Sequence, residues 1–89
     1  MYKIKTSKTY KTQFKKQSKQ NQDLIDEVVG LLCANKPLEP KHKDHQLKGD
    51  YKGFKECHIK PDLLLIYRIK KQILELHLIN LGSHSDIFG

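Results

Sequence analysis

Two very short links separate three apolar segments in the C-terminal half of the chain, and they restrict its fold more than any other feature. Pro61-Asp62 separates residues 51–60 from residues 63–70, and Lys71-Gln72 separates the latter from residues 73–81. Apolar and polar residues alternate in these segments, which is typical of strands, with an interruption at Gly53. Strands joined by such short links must run antiparallel, because a parallel crossover needs a dozen or more residues. We therefore predict an antiparallel sheet with the aliphatic 63–70 strand at its centre.

The N-terminal part of the chain predicts a short strand and a first helix. Tyr2 and Ile4 alternate with lysines, as in a strand. Ser7 is expected to cap a helix over residues 8–19, in which Tyr10 and Phe14 share one face and lysines occupy the rest.

A second helix is predicted to follow directly. Asn21 is expected to cap it, with Asp23 in the first turn beside the positive end of the helix dipole. Apolar residues recur at helical spacing up to Leu32, and Asn35 and Pro37 end the helix. Residues 36–46 then form a polar loop.

Together these elements predict an α+β fold in which two N-terminal helices pack on one face of a mostly antiparallel sheet. Eighty-nine residues suffice for one domain, spanning residues 1–89. A domain of this size has a modest core and little room for a deep cavity. A polymer lying across the surface is therefore the more plausible substrate.

Alternation assigns the side chains to the two faces of the sheet. We expect the following on the helix side: Cys57, Ile59, Leu64, Ile66, Leu74, Leu76 and Leu78. We expect the following on the opposite face, which stays partly available for binding: Phe54, Glu56, His58, Leu63, Leu65, Tyr67, Glu75, His77 and Ile79.

The charge balance favours an anionic partner. Seventeen Lys and Arg oppose ten Asp and Glu, which gives a formal net charge of +7, and Arg68 is the one arginine. Residues 1–22 hold seven lysines and no acid. Such a field attracts phosphate backbones in a salt-dependent manner. A solvated surface and an acidic protein partner are the alternatives.

Cysteine usage and hydropathy predict a cytoplasmic protein. Cys33 and Cys57 are too few for a disulfide scaffold and lie among apolar residues, so we expect reduced core thiols. No stretch is long or apolar enough for a membrane span, and the start lacks the apolar region of a signal peptide.

Five histidines raise the question of a metal site, which their spacing disfavours. His42 and His45 are three residues apart in a loop, His58 and His84 stand alone, and neither CxxC nor HExxH occurs. Zinc sites normally have closely spaced ligands. We therefore expect no metal and no cofactor.

Acid–base cleavage of RNA is the alternative chemistry for these histidines. Without a metal, the substrate 2′-hydroxyl is the nucleophile, and the protein supplies a base, an acid and cations for the phosphorane. Histidine suits proton transfer because its pKa lies near neutrality. His45, His58, Asp62 and His84 lie at loop and strand ends, where catalytic groups concentrate.

Three motifs carry a family resemblance that covers the whole chain. They are Asp44-His45-Gln46-Leu47-Lys48-Gly49, then Glu56-Cys57-His58-Ile59-Lys60-Pro61-Asp62-Leu63-Leu64-Leu65-Ile66-Tyr67, and Gly82-Ser83-His84-Ser85-Asp86-Ile87-Phe88. Together they resemble the YafQ branch of the RelE/ParE toxin superfamily, which has a microbial ribonuclease-like fold. The resemblance implies a type II toxin that cuts mRNA on the ribosome without metal. It also implies a neighbouring acidic antitoxin that inhibits the toxin in a hetero-oligomer.

The resemblance also implies roles for particular residues. His84 and Asp62 would form the acid–base pair, in either order, and His45 and His58 would position or neutralise the scissile phosphate. Phe88 would stack on a base. Further RNA contacts are expected from Lys48, Lys52, Lys55 and Arg68.

Two positions depart from the family pattern. Relatives often carry Arg where this chain has Asn80, and a Trp can occur where it has Leu63. The loss of a cation at Asn80 weakens the expected phosphorane stabilisation, for which Arg68 or a lysine could substitute.

The same residues also permit other interpretations. His45 could be a loop residue bonded to the backbone, His58 a half-buried strand residue, Asp62 a turn former, and Phe88 a hydrophobic latch. His42 and His77 match no motif. A ParE-like toxin that binds a protein such as gyrase would need no histidine set. An inactive RNA-binding module would need paired exposed aromatics, for which Phe54 and Tyr67 are the candidates.

Overall fold

The computed structural model describes residues 1–89 and has three α-helices and a five-stranded sheet. In chain order the elements are β1 (Lys3–Thr6), α1 (Lys8–Lys15), α2 (Lys19–Cys33), β2 (His45–Gln46), β3 (Lys55–Lys60), β4 (Leu63–Lys70), β5 (Glu75–Gly82) and α3 (His84–Phe88). The strand order is β1-β5-β4-β3-β2, and all neighbours are antiparallel except β1 and β5. The predicted α+β fold is confirmed, with β4 at the centre.

The two N-terminal helices are present, but the boundary between them differs from the prediction. Ser7 caps α1 as expected, yet α1 ends at Lys15, and Ser18 rather than Asn21 caps α2. The Ser18 hydroxyl accepts a hydrogen bond from the Asn21 amide at 3.1 Å, which satisfies a free N–H of the first turn. Asp23 therefore lies beyond that turn, where it pairs with Lys19 at 2.9 Å.

The face assignment of β4 was wrong, whereas that of β3 is confirmed. The core beside the helices contains Leu63, Leu65 and Tyr67, together with Cys57 and Ile59 from β3. The register explains the reversal, because Leu65 lies opposite Cys57 and directly paired side chains share a face. Leu64 and Ile66 are also buried, but on the other face, where they are paired with His58 and Glu56. Strand β4 is therefore buried on both faces.

An extra residue in β5 changes which of its side chains reach the open face. Tyr67 pairs with Leu78 but Ile66 pairs with Asn80, so Ile79 is left without a partner in a β-bulge. The Ser7 hydroxyl donates a hydrogen bond to the Ile79 carbonyl at 2.5 Å. The bulge lets both Leu78 and Leu81 enter the core. Leu74, expected in this strand, instead lies in a left-handed turn before it with 59% of its surface exposed.

A partly buried polar contact on the helix side holds the loop before β2 against the sheet. The Tyr67 hydroxyl donates a hydrogen bond to Asp44, whose other carboxylate oxygen accepts one from Lys55 at 3.2 Å. Burial, followed by the bond to Asp44, raises the pKa of Tyr67, so the phenol stays protonated. This contact fixes the position of the next residue, His45.

The remaining sequence expectations concern thiols and membrane spans. Cys33 and Cys57 are free, and burial raises the pKa of the Cys57 thiol to about 12. None of the helices is both long and apolar enough to cross a membrane.

The two-sided burial of β4 leads to a test of stability. Leu65 is fully buried, so Leu65→Ala should lower the free energy of unfolding by about 2–5 kcal/mol, because apolar burial is removed and a cavity is left. Leu74→Ala is the matched control and should change it by less than about 0.5 kcal/mol. Urea denaturation measures both values. Equal effects of the two substitutions would contradict the assigned core.

Candidate active site

The site begins where β5 turns directly into α3. Ser83 caps this short helix, its hydroxyl accepting a hydrogen bond from the Asp86 amide while the Asp86 carboxylate accepts one from the Ser83 amide. The hydrogen bonds that the Asp86 carboxylate makes with the backbone and side chain of Ser83 lower the pKa of Asp86 and keep it ionised. The sequence predicted only a polar turn here. The capping box, Ser83 followed three residues later by an acid, was the signal that could have shown the helix.

Three aromatic rings join α3 to the loop before β3. The His84 and Phe88 ring centroids are 4.9 Å apart, and Tyr51 meets Phe88 edge-on at 5.1 Å. Phe88 is therefore fixed beside His84. Tyr51 was not predicted from the sequence, because no pattern links residues so far apart in the chain.

A surface cavity of about 500 Å³ brings together three of the predicted catalytic residues. His58 comes from β3, Asp62 from the turn between β3 and β4, and His84 from the start of α3. The floor includes Leu64, one of the apolar residues on this face of β4. His84 and Asp62 are exposed, whereas His58 is more covered. The arrangement allows a proton donor and a proton acceptor to contact one ligand.

A buried carboxylate links the other predicted histidine to this cavity. Glu56 is 6% exposed, and its Oε1 atom lies 3.4 Å from His58 Nε2 and 3.7 Å from His45 Nε2. The His45 ring is also held through Nδ1, 2.6 Å from the Lys43 carbonyl oxygen. Glu56 was not predicted as a site residue. Its position two residues before His58 in a strand was the available signal, since that spacing puts both side chains on one face.

The predicted RNA-binding residues do not all lie together. Lys48 and Lys52 are exposed and flank the turn that carries Tyr51. Arg68 is exposed on the open face, with its guanidinium carbon 5.6 Å from the centre of the Phe54 ring. Lys55 is separate from them, because it pairs with Tyr67 in the register and its ammonium group contacts Asp44 on the helix side.

The two departures from the family pattern have different surroundings. Asn80 lies opposite Ile66 on the open face, and its Oδ1 atom accepts a hydrogen bond from the Leu81 amide at 2.8 Å. Leu63 is buried in the core beside the helices. The position that follows Asp62 therefore contributes to packing and offers the cavity no ring.

The close approach of Gly82 to α3 leads to a test of how the site is positioned. A Cβ atom on Gly82 would lie 3.0 Å from Asp86 Cβ, so Gly82→Ala should displace α3 and cost about 1–3 kcal/mol of stability. The ring contact between Tyr51 and Phe88, measured by nuclear Overhauser effects, should weaken.

Gly30→Ala is the control for this substitution. No atom lies within 4 Å of its added Cβ, and the helical position favours alanine by about 0.5–1 kcal/mol. An unchanged Tyr51–Phe88 contact in Gly82→Ala would show that α3 does not depend on the glycine.

Relatives of known structure share the whole architecture. A metal-bound toxin from Helicobacter pylori is 50% identical and superposes with a TM-score of 0.85, covering 99% of this chain and all of the other. The YafQ structure in the DinJ–YafQ toxin–antitoxin complex of Escherichia coli is 31% identical, with a TM-score of 0.85 and coverage of 99% and 98%. The mRNA interferase toxin YafQ of Escherichia coli K12 is 33% identical over 97% of this chain and 95% of the relative.

A family model extends the similarity over nearly every residue. The model describes a bacterial toxin of a type II toxin–antitoxin system, YafQ, and it matches residues 2–89. The match includes all three sequence motifs and the elements that carry the cavity. The chain therefore belongs to the YafQ family of type II toxins.

Proposed function

We propose that this chain is a single-domain mRNA interferase, an endoribonuclease that cuts mRNA on the ribosome without a metal. The observation that carries the proposal is the convergence of His58, Asp62 and His84 on one open cavity. The names of its relatives support the same activity. An open cavity suits a polymer, because a chain can cross it without being enclosed.

The proposed reaction is an attack by the 2′-oxygen on the adjacent phosphorus. One member of the His84–Asp62 pair removes the 2′-hydroxyl proton, and the other protonates the departing 5′-oxygen. The P–O5′ bond breaks as the P–O2′ bond forms, which leaves a 2′,3′-cyclic phosphate and a 5′-hydroxyl. The base thus gains the proton from the 2′-hydroxyl, and the acid loses one to the 5′-oxygen.

His45 and His58 are proposed to stabilise the charged phosphorane. Glu56 lies within 4 Å of both rings, so its carboxylate fixes their orientation. Imidazole N–H groups held next to the phosphate would take the place of the arginine that relatives carry at the position of Asn80. Phe88, held by Tyr51, is proposed to stack on a base beside the cut.

Flanking RNA contacts are proposed for Lys48, Lys52 and Arg68, which are all exposed. Lys55 was expected among them, but its contact with Asp44 gives it a structural task on the helix side. A rival RNA-binding module with paired exposed aromatics is disfavoured, because Tyr67 is fully buried. A ParE-like protein binder would have no use for the clustered histidines.

The metal-bound relative makes metal dependence the point to test. The cavity supplies an acid and a base of its own, which is the support for a metal-free route. No group of three or more His, Cys, Asp or Glu side chains is arranged here to hold a metal ion.

An acidic antitoxin is the proposed protein partner, acting in the cytoplasm within a toxin–antitoxin hetero-oligomer. The support is the complex formed by the Escherichia coli relative, together with the +7 net charge. A basic surface steers an acidic segment toward it, and a segment that folds on binding can wrap much of a small domain.

His84→Ala tests the proposed chemistry. Cleavage of mRNA on programmed ribosomes should fall by about 10²–10⁴-fold, because one proton-transfer group is removed. On free RNA, where no ribosome needs Mg²⁺, the wild-type protein should cut in EDTA and leave 2′,3′-cyclic or derived 3′-phosphate ends, assigned by mass spectrometry. Circular dichroism checks the fold. A folded, fully active variant, or inhibition of the wild-type protein by EDTA, would refute the mechanism.

Glu56→Gln and Glu56→Asp test the buried carboxylate as a positioning residue. We expect Gln to lower kcat by roughly tenfold or more with little change in KM, because the histidines no longer have a charged partner. Asp keeps the charge and should retain more activity. Equal reductions in the two folded variants would show that the charge has no role.

A further inference from the structure

We propose a second RNA-binding subsite on the open face of the sheet, which holds a phosphate away from the cut. It rests on the proposed ribonuclease function and extends it. We call the cluster the distal patch; its members are Lys3, Lys5, Arg68, Lys70, Glu75 and His77.

The strand register places these side chains in two adjacent rows. Lys5 pairs with His77, which in turn pairs with Arg68. In the next row, Lys3 and Lys70 pair with Glu75 from its two sides. Because directly paired residues point to the same face, all six side chains project together.

The distal patch lies on the same face as the catalytic cavity but well apart from it. Leu64 lines the cavity and pairs with His58, and Arg68 is four residues farther along β4. An even number of residues preserves the face, and four residues of strand span about 13 Å. A phosphate bound at Arg68 would therefore belong to a different nucleotide from the scissile phosphate.

The charges of the distal patch favour an anion despite its one acid. Glu75 is held by His77, with 2.8 Å between Oε1 and Nε2. This bond and the nearby Lys5 and Lys70 lower the pKa of Glu75. The carboxylate thus keeps His77 in place, while four permanent cations surround the pair.

Arg68 is the member best prepared to bind. Its guanidinium lies over the Phe54 ring, an arrangement that restricts the long side chain and leaves its N–H donors exposed. A planar guanidinium is well matched to phosphate oxygens.

RNA fits this surface better than a protein does. Protein interfaces depend on apolar or aromatic anchors buried at their centre, and the centre of the distal patch is the His77–Glu75 pair. The exposed Ile73 and Leu74 lie in the connection before β5, at the margin of the distal patch. The distal patch and the catalytic cavity lie on the same face, which also favours one extended RNA chain as the ligand of both.

Binding of uncleavable RNA of two lengths tests the inference. The probes are 2′-O-methyl oligonucleotides of about three and about nine nucleotides, which bracket a short single-strand site. Lys5→Gln/Arg68→Gln should weaken binding of the longer probe by roughly tenfold and leave that of the shorter probe unchanged. The slope of log Kd against log salt should fall by about 0.7 for each phosphate that the variant no longer neutralises.

The control removes the same charge from the helix side. Lys36 and Lys41 line depressions beside α2, so Lys36→Gln/Lys41→Gln should leave both probes unaffected. Equal weakening for the two probe lengths, or equal weakening in control and test variants, would overturn the distal patch. Reduced binding of poly-glutamate without reduced binding of the longer RNA would assign it to an acidic protein instead.

The ribosome cleavage assay separates the two levels of the proposal. If wild-type protein cuts mRNA but the length dependence is absent, the subsite alone fails. If wild-type protein neither cuts mRNA nor binds the longer probe, both the subsite and the proposed ribonuclease function fail.

Discussion

Strand β4 is buried on both faces and paired along both edges, and the two working surfaces of the molecule are organised around it. On one face Leu65 and Tyr67 complete the core beneath the helices, and on the other Leu64 and Ile66 underlie the site. A register slip of one residue would exchange the two sets and move His58 and Glu56 away from the cavity. Because both faces of β4 are strongly apolar, its register with β3 and β5 is fixed, and that register sets the geometry of the candidate site.

The site also depends on how closely α3 follows the sheet. Gly82 gives Asp86 room to approach the end of β5, and the capping box fixes the first turn where His84 lies. The same turn places Phe88 against Tyr51, from a loop on the other side of β4. A helix of five residues gains little stability from its own hydrogen bonds. Its position is therefore set by tertiary contacts, which explains why a short C-terminal segment can serve as a rigid support.

The fold class, the antiparallel core and the central strand could be predicted from the sequence, because they follow from the length of the links and from the alternation within each strand, which are both local features. It misassigned the faces of β4, since alternation gives no direction when both faces are apolar. The β5 bulge was also missed, because it arises from pairing with β4 and from the Ser7 contact with the Ile79 carbonyl. The candidate catalytic residues were predicted from motif resemblance. Composition and spacing offered no means of placing His58 and His84 together, since 26 positions of chain separate them.

Two neighbouring carboxylates show how structural and functional charges divide across the sheet. Asp44 faces the helices, where it accepts hydrogen bonds from Tyr67 and Lys55, and a change there would disturb the core. Glu56 faces the candidate site, where it lies close to His45 and His58. A sheet with a purely structural role could carry aliphatic side chains at these positions.

Removing a charge from water costs free energy, so a buried ion pair is weak evidence that its charges stabilise the fold. The Glu56 cluster is therefore better explained by the orientation that it gives to the two histidine rings. Asp44 and His45 are consecutive and serve opposite faces, so the buried tyrosine contact also sets the position of the histidine that Glu56 orients. Asp44 on the helix side and Glu56 on the open side thus both constrain the position of the short strand β2.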